Sequence, residues 1–284
     1  MTRKHALDPV LEKQYDVRLL RDDFMDVYQG WCDTSAEFRS NADMDEDMAY
    51  GDDDRHRLDI FRSNDPDGPV LVFIHGGYWQ RGDKSAYSLV AEPFVETGVN
   101  VALLGYPLCP DSSMTGILES IQRALLWLWR NAESHGLSAE RINLAGHSAG
   151  GHLTAMALCT DWSALDPDAP DDIIRTGIPI SGLYHLEPLR HTSISDALNL
   201  DDEEAGSLSP YLRQPLSRSP MLVTLGGGET EQFHWQADAF LEQWGKSDLT
   251  LGKHVEPDVD HFDIINRLAD SRSEIFNYTL RWLK

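Results

Sequence analysis

The stretch Arg141-Ile142-Asn143-Leu144-Ala145-Gly146-His147-Ser148-Ala149-Gly150-Gly151-His152-Leu153 decides how this chain is read. Arg141–Ala145 is a short apolar run of strand type, and from Ala149 to Thr160 the composition turns helical. Between them lies Gly146-His147-Ser148-Ala149-Gly150, a G-x-S-x-G pentapeptide in the strand-to-helix context that a nucleophile elbow requires. The serine of such an elbow sits on a strained turn, and only glycine leaves room for the backbone to pass. The helix N-terminus that follows favours developing negative charge. The pentapeptide by itself also fits an ordinary glycine-rich helix start. Strand, turn and helix together point to Ser148 as a nucleophile.

Working outward, the pattern alternates. Strand-like runs are Arg57–Phe61, Val70–His75, Val99–Leu104, Arg141–Ala145, Gly177–Ser181, Met221–Leu225 and Thr250–Val255. Helical stretches are Ala86–Glu96, Ile117–Glu133, Ala149–Thr160, Glu231–Trp244 and Glu274–Leu283. Strands alternating with helices of this length predict an α/β fold, a mostly parallel sheet with helices on both faces. No repeat and no Pro/Gly/Ser linker divides the chain, so one domain over 1–284 is expected. Ahead of it, Pro9–Phe38 mixes Leu, Tyr, Phe and Trp with charges at helical spacing, predicting an N-terminal helical segment. The acidic stretch Asn41–Asp54 is expected to be a solvated loop.

The second motif is His75-Gly76-Gly77-Tyr78-Trp79, directly after Val70–Ile74. A His-Gly-Gly at this early strand end supplies oxyanion-hole amides in α/β hydrolases. The expected donors are the N–H groups of Gly77 and Tyr78, joined by that of Ala149. His75 itself fits a structural loop anchor. A serine nucleophile needs a base, and the base needs a carboxylate to hold its tautomer. In this fold the chain order is Ser, acid, His. Of the eleven histidines, only His234, His254 and His261 lie beyond Met221–Leu225. His234 falls in a helical stretch and His254 in a strand, whereas His261 follows the last strand in a loop. The acid should come just after Met221–Leu225, where Gly226-Gly227-Gly228-Glu229 offers Glu229. Glu231 is the nearest rival but is expected to face outward. Asp258 and Asp260 are too close to His261 in sequence to orient its ring easily from behind.

Composition narrows the function classes. The formal net charge is −23, with 31 aspartates, 16 glutamates and 6 lysines. Such a surface repels polyanions, which excludes nucleic acid and anionic membrane as expected partners. The same balance resembles proteins of salty environments and fits a merely acidic soluble enzyme equally well. No apolar run is long enough to span a bilayer. Met1–Val10 is polar and shows no secretory leader. Cys32, Cys109 and Cys159 form no metal-ligand pattern and read as buried thiols in a reducing cytoplasm. His147 and His152 miss the i, i+4 spacing and the intervening Glu of a zinc helix, so no metal and no cofactor are expected.

Taken together, these residues resemble the kynurenine formamidase (arylformamidase) family of α/β hydrolases, near the hormone-sensitive-lipase-like esterases. The resemblance is carried by Leu11-Glu12-Lys13-Gln14-Tyr15, His75-Gly76-Gly77-Tyr78-Trp79-Gln80 and Gly146-His147-Ser148-Ala149-Gly150. Further matches are Asp161-Trp162, Ser181-Gly182-Leu183, Leu186-Glu187-Pro188, Glu229, Glu231-Gln232-Phe233-His234, Gln236 and Asp260-His261-Phe262. Tyr78-Trp79 is the most telling, because related esterases more often carry a third glycine there. The resemblance implies an α/β-hydrolase fold, Ser148, Glu229 and His261 as catalytic triad, and hydrolysis of N-formyl-L-kynurenine to kynurenine and formate. Tyr78, Trp79 and Trp162 become candidates for packing against an aromatic leaving group, though each also fits an ordinary core aromatic. Two positions depart from animal members, which carry Asp where Glu229 and His185 stand; the second bears on specificity. The same motifs fit a carboxylesterase for small aryl or alkyl esters. A non-catalytic hydrolase-fold binding protein usually lacks a triad member, which this chain does not. A small-molecule substrate is the partner expected, and the sequence leaves oligomeric state open, a homodimer included.

Overall fold

A computed structural model describes residues 5–283; the first four residues of the stretch examined for a leader lie outside it. Eight strands form one sheet: β1 Met44–Ala49, β2 Arg57–Phe61, β3 Val70–Ile74, β4 Asn100–Leu104, β5 Ile142–His147, β6 Gly177–Ile180, β7 Met221–Gly226 and β8 Leu251–Glu256. Their order is β1-β2-β4-β3-β5-β6-β7-β8. The β1–β2 and β2–β4 pairs are antiparallel, and all others are parallel. The helices are α1 Pro9–Tyr15, α2 Phe24–Arg39, α3 Ser88–Glu96, α4 Met114–Asn131, α5 Ala149–Ala157, α6 Trp162–Leu165, α7 Ser195–Leu198, α8 Asp202–Ser207, α9 Glu231–Trp244, α10 Asp263–Leu268 and α11 Glu274–Trp282. The expected mostly parallel α/β architecture is therefore present.

Burial on both faces explains the apolar runs. Along β3, Val70, Val72 and Ile74 join the core under α4, α5 and α9. Leu71 and Phe73 point the other way, into the core shared with α2, α3, α10 and α11. Successive side chains alternate between faces, so a strand covered twice must be apolar throughout. The N-terminal helical segment exists but is broken: a single-turn helix at Val17–Leu20 separates α1 from α2.

The expected loop at Asn41–Asp54 is corrected. Met44–Ala49 is the edge strand β1, bulged between Asp45 and Met48, with Asp47 at φ 55°. Local propensity argues against a strand of sequence MDEDMA, but each acid finds a cation. Asp45 pairs with Arg62, Glu46 with Arg39, and Asp47 lies 2.6 Å from Lys84 Nζ. Lys84 also lies 2.7 Å from the fully buried Asp59 of β2. Met44 and Met48 pack against the two cores. Charge and bulge suit an edge strand, because both discourage pairing with another chain.

Candidate active site

The first component is the turn between β5 and α5. Ser148 has φ 57° and ψ −115°, a conformation that costs a non-glycine residue about 1–3 kcal/mol. It is held there from both sides: its N–H donates to the Ile180 carbonyl at 2.8 Å, and its own carbonyl accepts from His152 N at 3.0 Å. The glycine requirement is steric. A Cβ on Gly150 would stand 2.0 Å from the Ile74 carbonyl oxygen, so only glycine lets α5 pass beneath β3.

His261 lies between β8 and α10, and Glu229 in the turn after β7. His261 Nδ1 is 2.8 Å from Glu229 Oε2, and the Glu229 side chain is fully buried. The other oxygen, Oε1, accepts from Gly226 N at 2.8 Å and from the Ser181 hydroxyl. The carboxylate is thus fixed by donors on three sides. Glu231 is exposed, as expected of its outward-facing position. Asp258 is exposed, and Asp260 is engaged by the amides of Phe262 and Asp263 and by Arg21.

The loop after β3 completes the site. Gly77 has φ 116°, and Tyr78 and Trp79 have φ 52° and 57°. A Cβ on Gly77 would lie 2.1 Å from the Arg81 carbonyl oxygen, so this loop closes only around glycine. The amides of Gly77, Tyr78 and Ala149 have no acceptor among the described residues. His75 is a buried anchor: its Nδ1–H donates to the Gly76 carbonyl at 2.8 Å, and its ring stacks on Tyr106. Burial lowers its pKa to about 4. His147 Nε2–H donates to the His261 carbonyl at 2.9 Å, tying β5 to the His261 loop. Burial, with His261 nearby, holds His147 well below the ordinary histidine range.

Ser148, His261, Gly77 and Tyr78 line one cavity of about 240 Å³. Another part of its wall comes from the N-terminal segment: Phe24, Tyr28 and Trp31, spaced i, i+4, i+7 on α2, with Phe262 and Tyr87 beside them. Trp31 lies 5.5 Å from Tyr87 and 6.4 Å from Phe262, ring to ring. Its Nε1–H donates to Asn266 at 2.7 Å, and Arg21 bridges Asp260 and Asp263 at 3.0 and 2.9 Å. The wall is therefore fastened to the segment carrying His261.

Two of the three expected aromatic contacts are corrected. Trp79 and Trp162 are fully buried and do not line the cavity. Trp79 meets His152 edge-on at 5.0 Å, and Trp162 sits in the core at the start of α6. Tyr78 does line it, but its hydroxyl donates to the Tyr15 carbonyl and so braces the loop. His185 also lies off the cavity, against Tyr211 and Trp235. Cys109 and Cys159 are buried free thiols, whereas Cys32 is only half-buried. The α2 rings are not singled out by sequence, although they form an i, i+4, i+7 stripe. A stripe does not reveal what it faces.

The N-terminal matches quoted above meet the later ones in space. Tyr15 Oη donates to Gln232 at 3.0 Å and accepts from Gln236 Nε2 at 2.9 Å, joining α1 to α9. Gln236 Oε1 then accepts from the amides of Tyr184 and His185.

Over residues 58–172 the chain matches the BD-FAE family. It is 29% identical over 231 residues to the kynurenine formamidase of Danio rerio, covering 79% of this chain and 76% of that protein. It is 34% identical over 236 residues to an isoprenylcysteine alpha-carbonyl methylesterase of Oryza sativa subsp. japonica, covering 72% of this chain and 54% of that protein. A crystal structure from Silicibacter sp. TM1040, described as a thioesterase, superimposes with a TM-score of 0.83 at 31% identity, covering 94% of this chain and 97% of its own. Fold, strand-to-helix turn and relatives agree: the chain is an enzyme of the α/β-hydrolase class, similar over most of its length to kynurenine formamidases.

Proposed function

We propose that this enzyme hydrolyses N-aryl formamides, N-formyl-L-kynurenine foremost, through Ser148, His261 and Glu229. The observation that carries this is the cavity lining, in which Gly77 and Ser148 share one space with the α2 aromatics. Formyl is the smallest acyl group, and the glycine side suits it. The aromatic side suits an arylamine leaving group.

Ser148 Oγ attacks the formyl carbon and passes its proton to His261 Nε2. Glu229 stays ionised, holds the Nδ1–H and stabilises the imidazolium. The oxyanion is met by the amides of Gly77, Tyr78 and Ala149, each such donor being worth about 3–4 kcal/mol in the barrier. The C–N bond then breaks as His261 gives its proton to the departing nitrogen. Water, deprotonated by His261, attacks the formyl ester; formate leaves and Ser148 regains its proton. Delocalisation of the nitrogen lone pair into the aryl ring weakens the amide that is cleaved.

The scheme contains no metal or cofactor step, since proton transfer and oxyanion stabilisation suffice for acyl transfer. One sheet running from Met44 to Glu256 supports a single domain. Free thiols at Cys32, Cys109 and Cys159 support a reducing compartment such as the cytoplasm. Among the described residues no helix is long and apolar enough to cross a membrane. The likeness to a methylesterase favours the second reading, a carboxylesterase on small esters. The two separate on kinetics: kynurenine release from N-formylkynurenine, measured beside phenol release from aryl acetates and butyrates. Preference for formyl over acetyl amides and efficient kynurenine release are expected. Fast ester turnover with no kynurenine would assign the chain to the esterases.

A further inference from the structure

The cavity departs from the rest of the molecule in charge. The chain carries 47 acidic residues, yet none of the 16 residues lining the cavity is Asp or Glu, and two are arginines. The two arginines differ. Arg18 is clamped on Asp16, Nε to Oδ1 at 2.7 Å and Nη2 to Oδ2 at 2.6 Å, and Asp16 is buried. Arg81 makes no side-chain hydrogen bond or ion pair among the described residues. Its backbone N–H donates to the Gly77 carbonyl at 3.1 Å. Its Cγ lies 3.0 Å from where a Cβ on Gly77 would stand, so its stem runs across the loop beside Ser148. The head is then a cation at the cavity rim, hydrogen-bonded to no carboxylate among the described residues, with the charge of Asp16 acting on it only from a distance. Partial burial and the charge of Arg18 both make that cation less comfortable than in water. An incoming anion would relieve it.

We infer that Arg81 recognises a carboxylate on the leaving-group side of the substrate, so that the site favours aryl amides and esters with a free carboxylate over those of equal reactivity in which it is masked. The inference rests on the proposal that Ser148 acts on a substrate held in this cavity. A guanidinium offers paired N–H donors that match a carboxylate, and charge-assisted bonds of this kind are roughly twice as strong as neutral ones. A local positive potential in an otherwise acidic molecule would also draw the anionic end toward this rim.

The test compares the same ring with its carboxylate free and masked. N-formylkynurenine and its methyl ester form one pair, 3-acetoxybenzoate and methyl 3-acetoxybenzoate the other. The readout is the ratio of kcat/KM, free over masked, in the wild type, Arg81→Gln and Arg81→Lys. Arg81→Gln is expected to lower that ratio roughly tenfold, mainly through KM, as loss of a ground-state contact should. Arg81→Lys should restore part of it, and sodium chloride should shrink the wild-type ratio. An equal ratio in wild type and Arg81→Gln would overturn the proposal. If only the esters turn over, the formamidase reading fails while the ester pair still judges Arg81. If formylkynurenine turns over and its ratio ignores Arg81, the arginine proposal fails alone. Should neither pair turn over, the affinities of benzoate and benzamide for wild type and Arg81→Gln give the same ratio.

Discussion

The two walls of the cavity are built by different means. The sheet-side wall is made of strand ends: Ser148 after β5, Gly77 and Tyr78 after β3 and His261 after β8, with Glu229 after β7 buried behind His261. Its positions are set by backbone geometry, including left-handed conformations at Tyr78, Trp79 and Ser148 that hydrogen-bonded surroundings enforce. The opposite wall is one helix face, Phe24, Tyr28 and Trp31, laid across the first by side-chain contacts and a few polar ties. The difference implies a division of labour. Chemistry needs atoms held to a fraction of an ångström, which strand ends provide; selectivity needs shape, which a packed helix can vary without disturbing the strands.

The sharpest way to break this division is at the sheet side. Ser148→Ala should fold normally and lose turnover by roughly a millionfold, as removal of a triad nucleophile does elsewhere. An organophosphate should label Ser148 and no other serine; labelling elsewhere, or an active variant, would sink the assignment. Glu229→Gln should cost about 10⁴-fold in kcat, because the amide favours the wrong imidazole tautomer. If Asp260→Asn produced that loss instead, with Glu229→Gln nearly silent, the acid would have to be reassigned.

The helix side should respond differently. Tyr28→Ala removes an aryl surface from the cavity and is expected to raise KM for an aryl formamide roughly tenfold with kcat much less affected. A kcat collapse with unchanged KM would mean that α2 takes part in the chemistry and that the two walls are not separable.

A smaller effect concerns pH. His75 and His152 are buried near the sheet-side wall, with pKa values lowered to about 4 by loss of solvation. Each is neutral when folded, while the unfolded chain takes up a proton below about 6.5. Stability is therefore fully present above pH 6.5 and falls as pH drops toward 4. The loss is about 1 kcal/mol per histidine at pH 5.5, where most carboxylates are still ionised. Denaturant unfolding at pH 7.5 and 5.5 measures it, and His152→Gln should flatten the slope; an unchanged slope would show that His152 is not the titrating group. Smallest of all is the salt response. Repulsion among the carboxylates of a −23 chain is screened as the Debye length falls from about 10 Å at 0.1 M to about 3 Å at 1 M. The melting temperature should climb by a few degrees with sodium chloride. A flat or falling melting curve would make the acidity incidental.

Several features were determined by local sequence. Apolar runs at β3 and β5, each buried on both faces, imply a covered parallel sheet. Gly146 and Gly150 around Ser148 imply a turn too tight for a Cβ. Glu229 and His261 follow from chain order, and the structure brings them to 2.8 Å. These signals survive in sequence because backbone geometry and strand burial restrict residue type within a few positions. What only the tertiary structure decided is which side chains face one another. Met44–Ala49 reads as a solvated loop until Arg39, Arg62 and Lys84 arrive to neutralise it. Trp79 and Trp162 look like pocket aromatics but are drawn into the core, while Phe24, Tyr28 and Trp31 take the cavity. Arg81 has no visible role until it is found without a partner beside Gly77. In each case the deciding contact comes from a distant part of the chain, and burial, which sets the energy of a ring or a charge, is a property of that assembly.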